Sequence, residues 1–330
     1  MTKKTTAVFI STIALVVIST VFSLSLGAAN LSLPQLWQAI CLGPNSTAGY
    51  IFWYVRLPRT AACLLSGAAL AVSGCVIQNV LGNKLASPGI IGVNAGAGLA
   101  VTFCCALGIL SGWAISLFSF LGAMFSVLFV VLLARKTGAS RTTVILCGVA
   151  LNSILNAFTD AVITLIPEVG MLSSEFRVGG FSSVVSTRLI HAGILIFLAL
   201  SILLTFCNDL DVLSLGEDTA QSLGLSVKKM RNLFLLLAAL LAGASVSFAG
   251  LLGFVGLLVP HAGRKLIGTE SRYLLPWCVL GGAGFVTACD LIARLLFQPY
   301  ELPVGILMSI LGGPFFLLLL LKKKGGHSHD

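Results

Sequence analysis

Charge is scarce in this chain: 9% of its 330 residues are Asp, Glu, Lys or Arg, while 57% are hydrophobic. A soluble domain carries about 25% charged residues, so the chain cannot cover a water-facing surface. There is no CxxC pair among the nine cysteines, which are scattered through apolar runs (Cys63, Cys75, Cys104, Cys105 and Cys147 among them). They read as small packing residues and not as a disulfide framework or a metal site. No GxxxxGK[ST] phosphate loop is present, so the chain does not hydrolyse nucleotide itself. Nor does it carry HExxH, GxSxG or paired carboxylates within one apolar run, which leaves an enzyme without a catalytic constellation. Acidic residues are outnumbered, 11 to 20, giving a net charge of +9. In a chain this apolar Lys and Arg set membrane topology, and the excess is not a nucleic-acid signal.

Long apolar runs fill the rest. They cover 7–27, 57–80, 89–110, 113–134, 142–166, 189–207, 232–249, 251–263, 274–296 and 304–321. At about 20 residues per span these make an all-α polytopic membrane protein of about ten transmembrane helices, in a single domain over 1–330. Run 251–263 is short for a span and suits a broken or tilted helix packed inside protein. Run 7–27 exceeds a signal-peptide core, although Gly27, Ala28 and Ala29 resemble a cleavage site. Between the first two runs, Trp37, Trp53 and Tyr54 suit a membrane interface. Ten spans put both termini on one side, and Lys3, Lys4 and the Lys322–Lys324 run make that side cytoplasmic. Fifteen of the twenty Lys and Arg then fall inside, and Arg56, Arg59, Arg177, Arg188 and Arg294 fall outside. That bias follows the positive-inside rule.

The longest polar run between two spans is 209–231, DLDVLSLGEDTAQSLGLSVKKMR. Ser214 and Glu217 have capping-box spacing, and Gly224 is placed to end a short helix in the left-handed conformation. This predicts a structured cytoplasmic helix–turn; the alternative is an ordered connector with no partner. A tail, 322–330, closes the chain on the same side; its His327 and His329 are weak metal ligands at most.

Several residues could carry transport chemistry. Arg56 and Arg59 bracket Leu57 and Pro58 before a span, and Arg294 ends another. They could dock acidic residues of an external partner or anchor to lipid phosphates. Asp160 and Asp290 are intramembrane carboxylates; Asp290 lies four residues before Arg294, a spacing that favours a structural ion pair. Asn152 and Asn156 share a helical face and could line a polar pathway or bond a neighbouring helix. Small residues at Gly67, Ala68, Ala71, Ser73 and Gly74 predict close helix packing. The segment GAALAVSG (67–74) is faintly echoed by GASVSFAG (243–250), on helices expected to run in opposite directions.

Together the motifs resemble the FecCD-type permeases, the membrane subunits of importers for ferric siderophores, haem and cobalamin. The resemblance rests on Arg56-Leu-Pro-Arg59, the 67–74 segment, Gln78, and 83–92 (NKLASPGIIG). It continues through Leu215-Gly216, Ala220 and Leu223-Gly224, 253–261 (GFVGLLVPH) with Arg264, Asp290 to Arg294, and 301–305 (ELPVG). It implies a type II ABC importer permease: two such subunits, identical or paralogous, forming a pore in the bacterial cytoplasmic membrane. ATPase subunits below would hold ATP and Mg, and a substrate-binding protein would sit above; this chain itself would bind no cofactor. By that likeness Leu215, Gly216, Glu217, Ala220, Leu223 and Gly224 belong to the ATPase-coupling helices. Arg56, Arg59 and Arg294 meet the binding protein. The helix 142–166, with Asn152, Asn156 and Asp160, lines the pore together with the last helix. Two stretches depart from the family pattern: Gly82-Asn83-Lys84, and Phe176-Arg177-Val178-Gly179-Gly180 near the pore mouth. The cargo implied is an iron chelate, ferric siderophore first. The rival reading is an ion-coupled secondary transporter using Asp160 and Asp290.

Overall fold

A computed structural model describes residues 3–27, 33–136, 140–296 and 300–324. Among the described residues it is helical throughout. The elements are α1 (Lys3–Ser25), α2 (Leu33–Leu42), α3 (Thr47–Tyr50), α4 (Leu57–Leu81), α5 (Val93–Ala106), α6 (Gly112–Lys136), α7 (Arg141–Leu165) and α8 (Pro167–Val178). They continue with α9 (Ser186–Thr205), α10 (Cys207–Ser214), α11 (Glu217–Ser222), α12 (Val227–Ala249), α13 (Val255–Ile267), α14 (Ser271–Leu295) and α15 (Val304–Lys324). Each of the ten apolar runs has its helix: α1, α4, α5, α6, α7, α9, α12, α13, α14 and α15. Seven helical segments among the described residues are long and apolar enough to cross a membrane, one of them α3–α4 joined through a π-helical stretch at Ile51–Arg56. The backbone of α15 includes Lys322–Lys324, while His327 and His329 lie outside the described residues.

Helix α4 sits at the centre, against α12, α13 and α14; α1 leans on α14, α9 on α12, and α5 packs against α6 and α7. The small-residue face explains how. Gly67 faces the Gly282 carbonyl of α14, and Gly74 faces Gly256 of α13, with no room for a methyl group at either. Such contacts let backbones approach closely without a hydrophobic driving force between helices. Helices α4 and α12 run antiparallel, as expected for the two echoed segments: the Ser66 and Ser245 hydroxyls lie 2.6 Å apart, and Ser73 donates to the Ala238 carbonyl at 2.6 Å.

Helix α13 is the short one, and its preceding loop is held inside the protein. Leu251 N–H donates to the Phe176 carbonyl and Gly180 N–H to that of Ala249, both at 2.9 Å, while Gly305 N–H reaches the Gly179 carbonyl at 3.2 Å. These bonds knot the ends of α8, α12 and α15 together. They satisfy non-helical backbone from within the protein.

Candidate functional site: coupling element, outer charge network and polar cavity

The polar run 209–231 folds as a structured element. Leu210 and Leu213 of α10 and Ala220 of α11 are buried, whereas Leu215 and Leu223 are 62% and 63% exposed. Gly224 takes φ +85°, the left-handed conformation expected of it. The capping box is not formed: Gly216 is the cap residue of α11 and takes φ +121°, and the Ser214 hydroxyl donates to the Asp211 carbonyl at 2.7 Å. Ser214 belongs to the last turn of α10, so its hydroxyl faces back along its own helix. Glu217 instead accepts from Arg231 Nη1 of α12 at 2.7 Å.

Two more attachments fix the element. Both carboxylate oxygens of Asp211 lie 3.0 Å from the Ser271 N–H at the start of α14, where the helix dipole favours negative charge. Arg141, at the start of α7, donates to the Leu213 carbonyl at 2.6 Å. A 25-residue α7, a 23-residue α12 and a 25-residue α14 are therefore tied to one short polar segment. The sequence named the segment but not these ties. The signal was the presence of Asp211, Arg141 and Arg231 at helix ends, and it carried no pairing information. Beside the element, Arg264 of α13 donates to Gln78 Oε1 and, at 2.9 Å, to Asn79 Oδ1. These three residues and Asp211 line a cavity of about 530 Å³.

At the opposite end the arginines form no exposed rim. Arg56 and Arg294 are each 4% exposed. Arg59 bridges Asp290 at 3.0 Å and Glu301 at 2.6 Å; Arg294 meets the second Asp290 oxygen at 3.0 Å and donates to Ser23 Oγ at 2.8 Å. Arg56 donates to the Leu24 carbonyl at 2.6 Å. The expected Asp290–Arg294 ion pair is present, and the sequence missed its third member, Arg59, which lies 231 residues away along the chain. The network joins the C-terminal ends of α1 and α14 to the N-terminal end of α4. Burying such charges is tolerable only because each guanidinium finds acceptors.

The remaining candidates share one wall. Asn152, Asn156, Thr159 and Asp160 of α7 line a cavity of about 520 Å³ with Asn94 of α5 and Arg177 of α8. Asn152 Nδ2 donates to the Gly89 and Ile90 carbonyls at 2.8 and 3.2 Å. Its Oδ1 is buried without a hydrogen-bond partner. Asn156 and Asp160 are exposed on α7. Ionisable residues within a membrane-spanning helix face protein or a water-filled cavity, so this polar face suits a water-filled path and not hydrocarbon. Arg177, from the stretch that departs from the family pattern and that the resemblance puts near the pore mouth, lines the same cavity.

No group of three or more His, Cys, Asp or Glu side chains is placed to hold a metal ion among the described residues.

Comparison with known proteins agrees with the architecture. The family model "FecCD transport family" matches residues 15–322. The Fe(3+)-citrate import system permease protein YfmD of Bacillus subtilis is 37% identical over 89% of this chain and 88% of its own length. The hemin transport system permease protein HmuU of Yersinia pestis is 35% identical over 92% of each. The vitamin B12 import system permease protein BtuC of Serratia proteamaculans is 36% identical, covering 92% of this chain and 89% of its own. A metal-chelate type ABC transporter solved in an inward-facing conformation superposes with a TM-score of 0.86 at 30% identity, covering 96% of this chain and 99% of its own. By the extent of these matches and the order of its motifs, the chain belongs to the FecCD transport family.

Proposed function

We propose that the chain is the membrane permease subunit of an ATP-driven importer that moves an iron chelate, haem or cobalamin into the cytoplasm by alternating access. ATP and Mg belong to a separate ATPase pair, and the pore forms between this subunit and a second, identical or paralogous one. The chain is a single permease domain with both termini in the cytoplasm, as the Lys and Arg distribution favours.

The observation that carries the reading is the triple attachment of the element around α11. It presents Leu215 and Leu223 outward while Asp211, Leu213 and Glu217 hold α14, α7 and α12. Leu215, Gly216, Glu217, Ala220, Leu223 and Gly224 form the contact with the ATPase. When ATP draws the ATPase pair together, the element moves and its three ties pull the helix ends with it. Helix α7, which carries Asn152, Asn156 and Asp160, tilts and opens one side of the pore while closing the other. Coupling of this kind needs one element whose position both sites bias, and the ties supply it.

A substrate-binding protein docks on the outer surface around Arg56, Arg59 and Arg294. Because their guanidinium groups are occupied internally, they act by holding α1, α4 and α14 in register and by placing the half-exposed Glu301 carboxylate at the rim. The ion-coupled alternative is not favoured: Asp290 is clamped between two guanidinium groups and offers no free carboxylate to a travelling ion.

The test is to purify the chain from its membrane in mild detergent, identify what accompanies it, and measure uptake in proteoliposomes. An ATPase subunit and ATP-dependent uptake are expected. Uptake driven by an ion gradient without ATP would overturn the proposal.

A further inference from the structure

We infer that the cavity between the first turn of α1, the end of α13 and the start of α14 binds the phosphate headgroup of an anionic phospholipid, which joins α1 to α13. Only a membrane-spanning bundle is required for this; the importer reading above is not.

The cavity holds about 650 Å³, within the roughly 300–1,000 Å³ of sites that take small ligands. Lys4 of α1, Arg264 and Lys265 of α13, Glu270 just before α14 and Tyr273 in its first turn line it. Three cations against one carboxylate leave an excess of positive charge. Neither lysine is in an ion pair among the described residues. Arg264 donates to Gln78 Oε1 and Asn79 Oδ1. Both acceptors are neutral amides, so the guanidinium is held in place while its charge stays unmatched. Lysines gathered on one cavity repel each other, and a bound anion removes that repulsion. A phosphodiester answers the lining: it carries one negative charge and only acceptors, and Arg, Lys and a tyrosine hydroxyl are its donors.

Depth selects a lipid over a soluble phosphate. Lys4 lies just before the apolar run 7–27, Lys265 just after 251–263, and Tyr273 just before 274–296. Three helices thus enter or leave the apolar layer at this cavity, which is the depth of the headgroups, and basic pockets between membrane helices at that depth bind them. The acyl chains find a surface as well. Helix α1 is buried only along Thr12, Ser19 and Ser23, so Ile10, Ile13 and Val17 stand exposed farther along it, and Leu266 is exposed beside Lys265. A soluble anion gains nothing from that apolar flank. Helices α1 and α13 touch, and a phosphate between Lys4 and Lys265 closes their junction at the end of α1 away from the Arg56 and Arg294 network.

The full chain, purified with its accompanying subunits and stripped of lipid in a neutral detergent, is given phosphatidylglycerol, phosphatidylcholine or inorganic phosphate. Native mass spectrometry counts bound lipid, and the thermal midpoint is followed in parallel. Phosphatidylglycerol should bind at about tenfold lower concentration than phosphatidylcholine and raise the midpoint. Lys4→Ala with Lys265→Ala should remove most of that preference, each lysine near an anionic headgroup being good for roughly fivefold. Arg135→Ala with Lys136→Ala takes the same charge from the end of α6, outside the cavity, and should leave the preference intact. All four residues are exposed, so neither pair of changes removes a packed side chain. A wild type without the preference, or a preference that survives loss of Lys4 and Lys265, would overturn the site. Equal loss in both pairs would overturn it too, by reducing it to the diffuse potential of a basic surface. Displacement of the lipid by millimolar inorganic phosphate would make this a soluble-phosphate site and overturn the lipid assignment.

Discussion

Asp211 is the tie between the coupling element and α14, and its removal should uncouple the machine. Its two carboxylate oxygens accept from the Ser271 N–H at 3.0 Å, at a helix N-terminus. A hydrogen bond to a charged acceptor contributes about 1.5–3 kcal/mol, and a carboxylate at a helix N-terminus adds roughly 0.3–1 kcal/mol. Asp211 is partly exposed, so solvent screening argues for the lower end, about 2 kcal/mol in all. That corresponds to roughly a 30-fold shift in the balance between attached and detached states, since each 1.4 kcal/mol is a factor of ten. In Asp211→Ala the ATPase should still hydrolyse ATP while the element, now tied only to α7 and α12, no longer carries α14 with it. Cargo moved per ATP, measured in proteoliposomes with labelled cargo and a phosphate assay, should fall by about tenfold or more. Asp211→Asn keeps an acceptor oxygen but loses the charge, and should fall between the two. A wild-type ratio of cargo to ATP in Asp211→Ala would refute the reasoning, because the tie would then be dispensable to coupling.

Four further outcomes are expected. Glu217→Lys opposes a second cation to the buried Arg231 guanidinium and should uncouple hydrolysis from uptake; adding Arg231→Glu should restore coupling several-fold, and a failed rescue argues against the pair as a transmitting contact. Gly224→Val forces a β-branched side chain to φ +85°, a strain of about 1–3 kcal/mol, and should loosen ATPase binding in pull-down without removing the chain from the membrane. Arg56→Glu with Arg59→Glu should weaken association of the binding protein, most at low salt where screening is least; because Arg59 neutralises the buried Asp290, thermal stability should fall too, and unchanged affinity with a lowered melting temperature would leave the pair a purely structural role. On the α10 side of the element, burial first, and then the nearby Asp211 charge, push the Cys207 thiol above its usual range. The thiolate is the reactive form, so maleimide labelling at Cys207 should be slow near neutrality and accelerate as pH rises; rapid labelling at pH 7 that disappears in Cys207→Ser would contradict the packed environment.

Reading the chain from its residues alone located the spans, the polar element and the candidate wall of the pore, because each depends on local composition. A run of apolar residues must become a helix in lipid wherever it sits, so the ten runs and the ten helices correspond, down to the short α13. Gly224 was legible for the same reason: a positive φ is a property of one residue. The shared face of Asn152 and Asn156 was legible from helical spacing, and Asp160 joined it through the family resemblance. The capping box failed because Ser214 had two local bonding options, and the extent of α10 decided between them.

Partnership was decided only by the tertiary structure. Arg59 could not be assigned to Asp290 from a separation of 231 residues, and three arginines that read as an exposed rim turned inward once α1, α4 and α14 converged on them. Arg177 reached the polar cavity because α8 doubles back after α7, and the three ties of the coupling element formed because α7, α12 and α14 end around it. Sequence by itself determined what had to be buried, since transfer free energy belongs to each residue wherever the chain runs. Which charges meet depends on how the helices cross, and helix crossing is set by small-residue contacts such as Gly67 with Gly282 that exist only in the folded bundle.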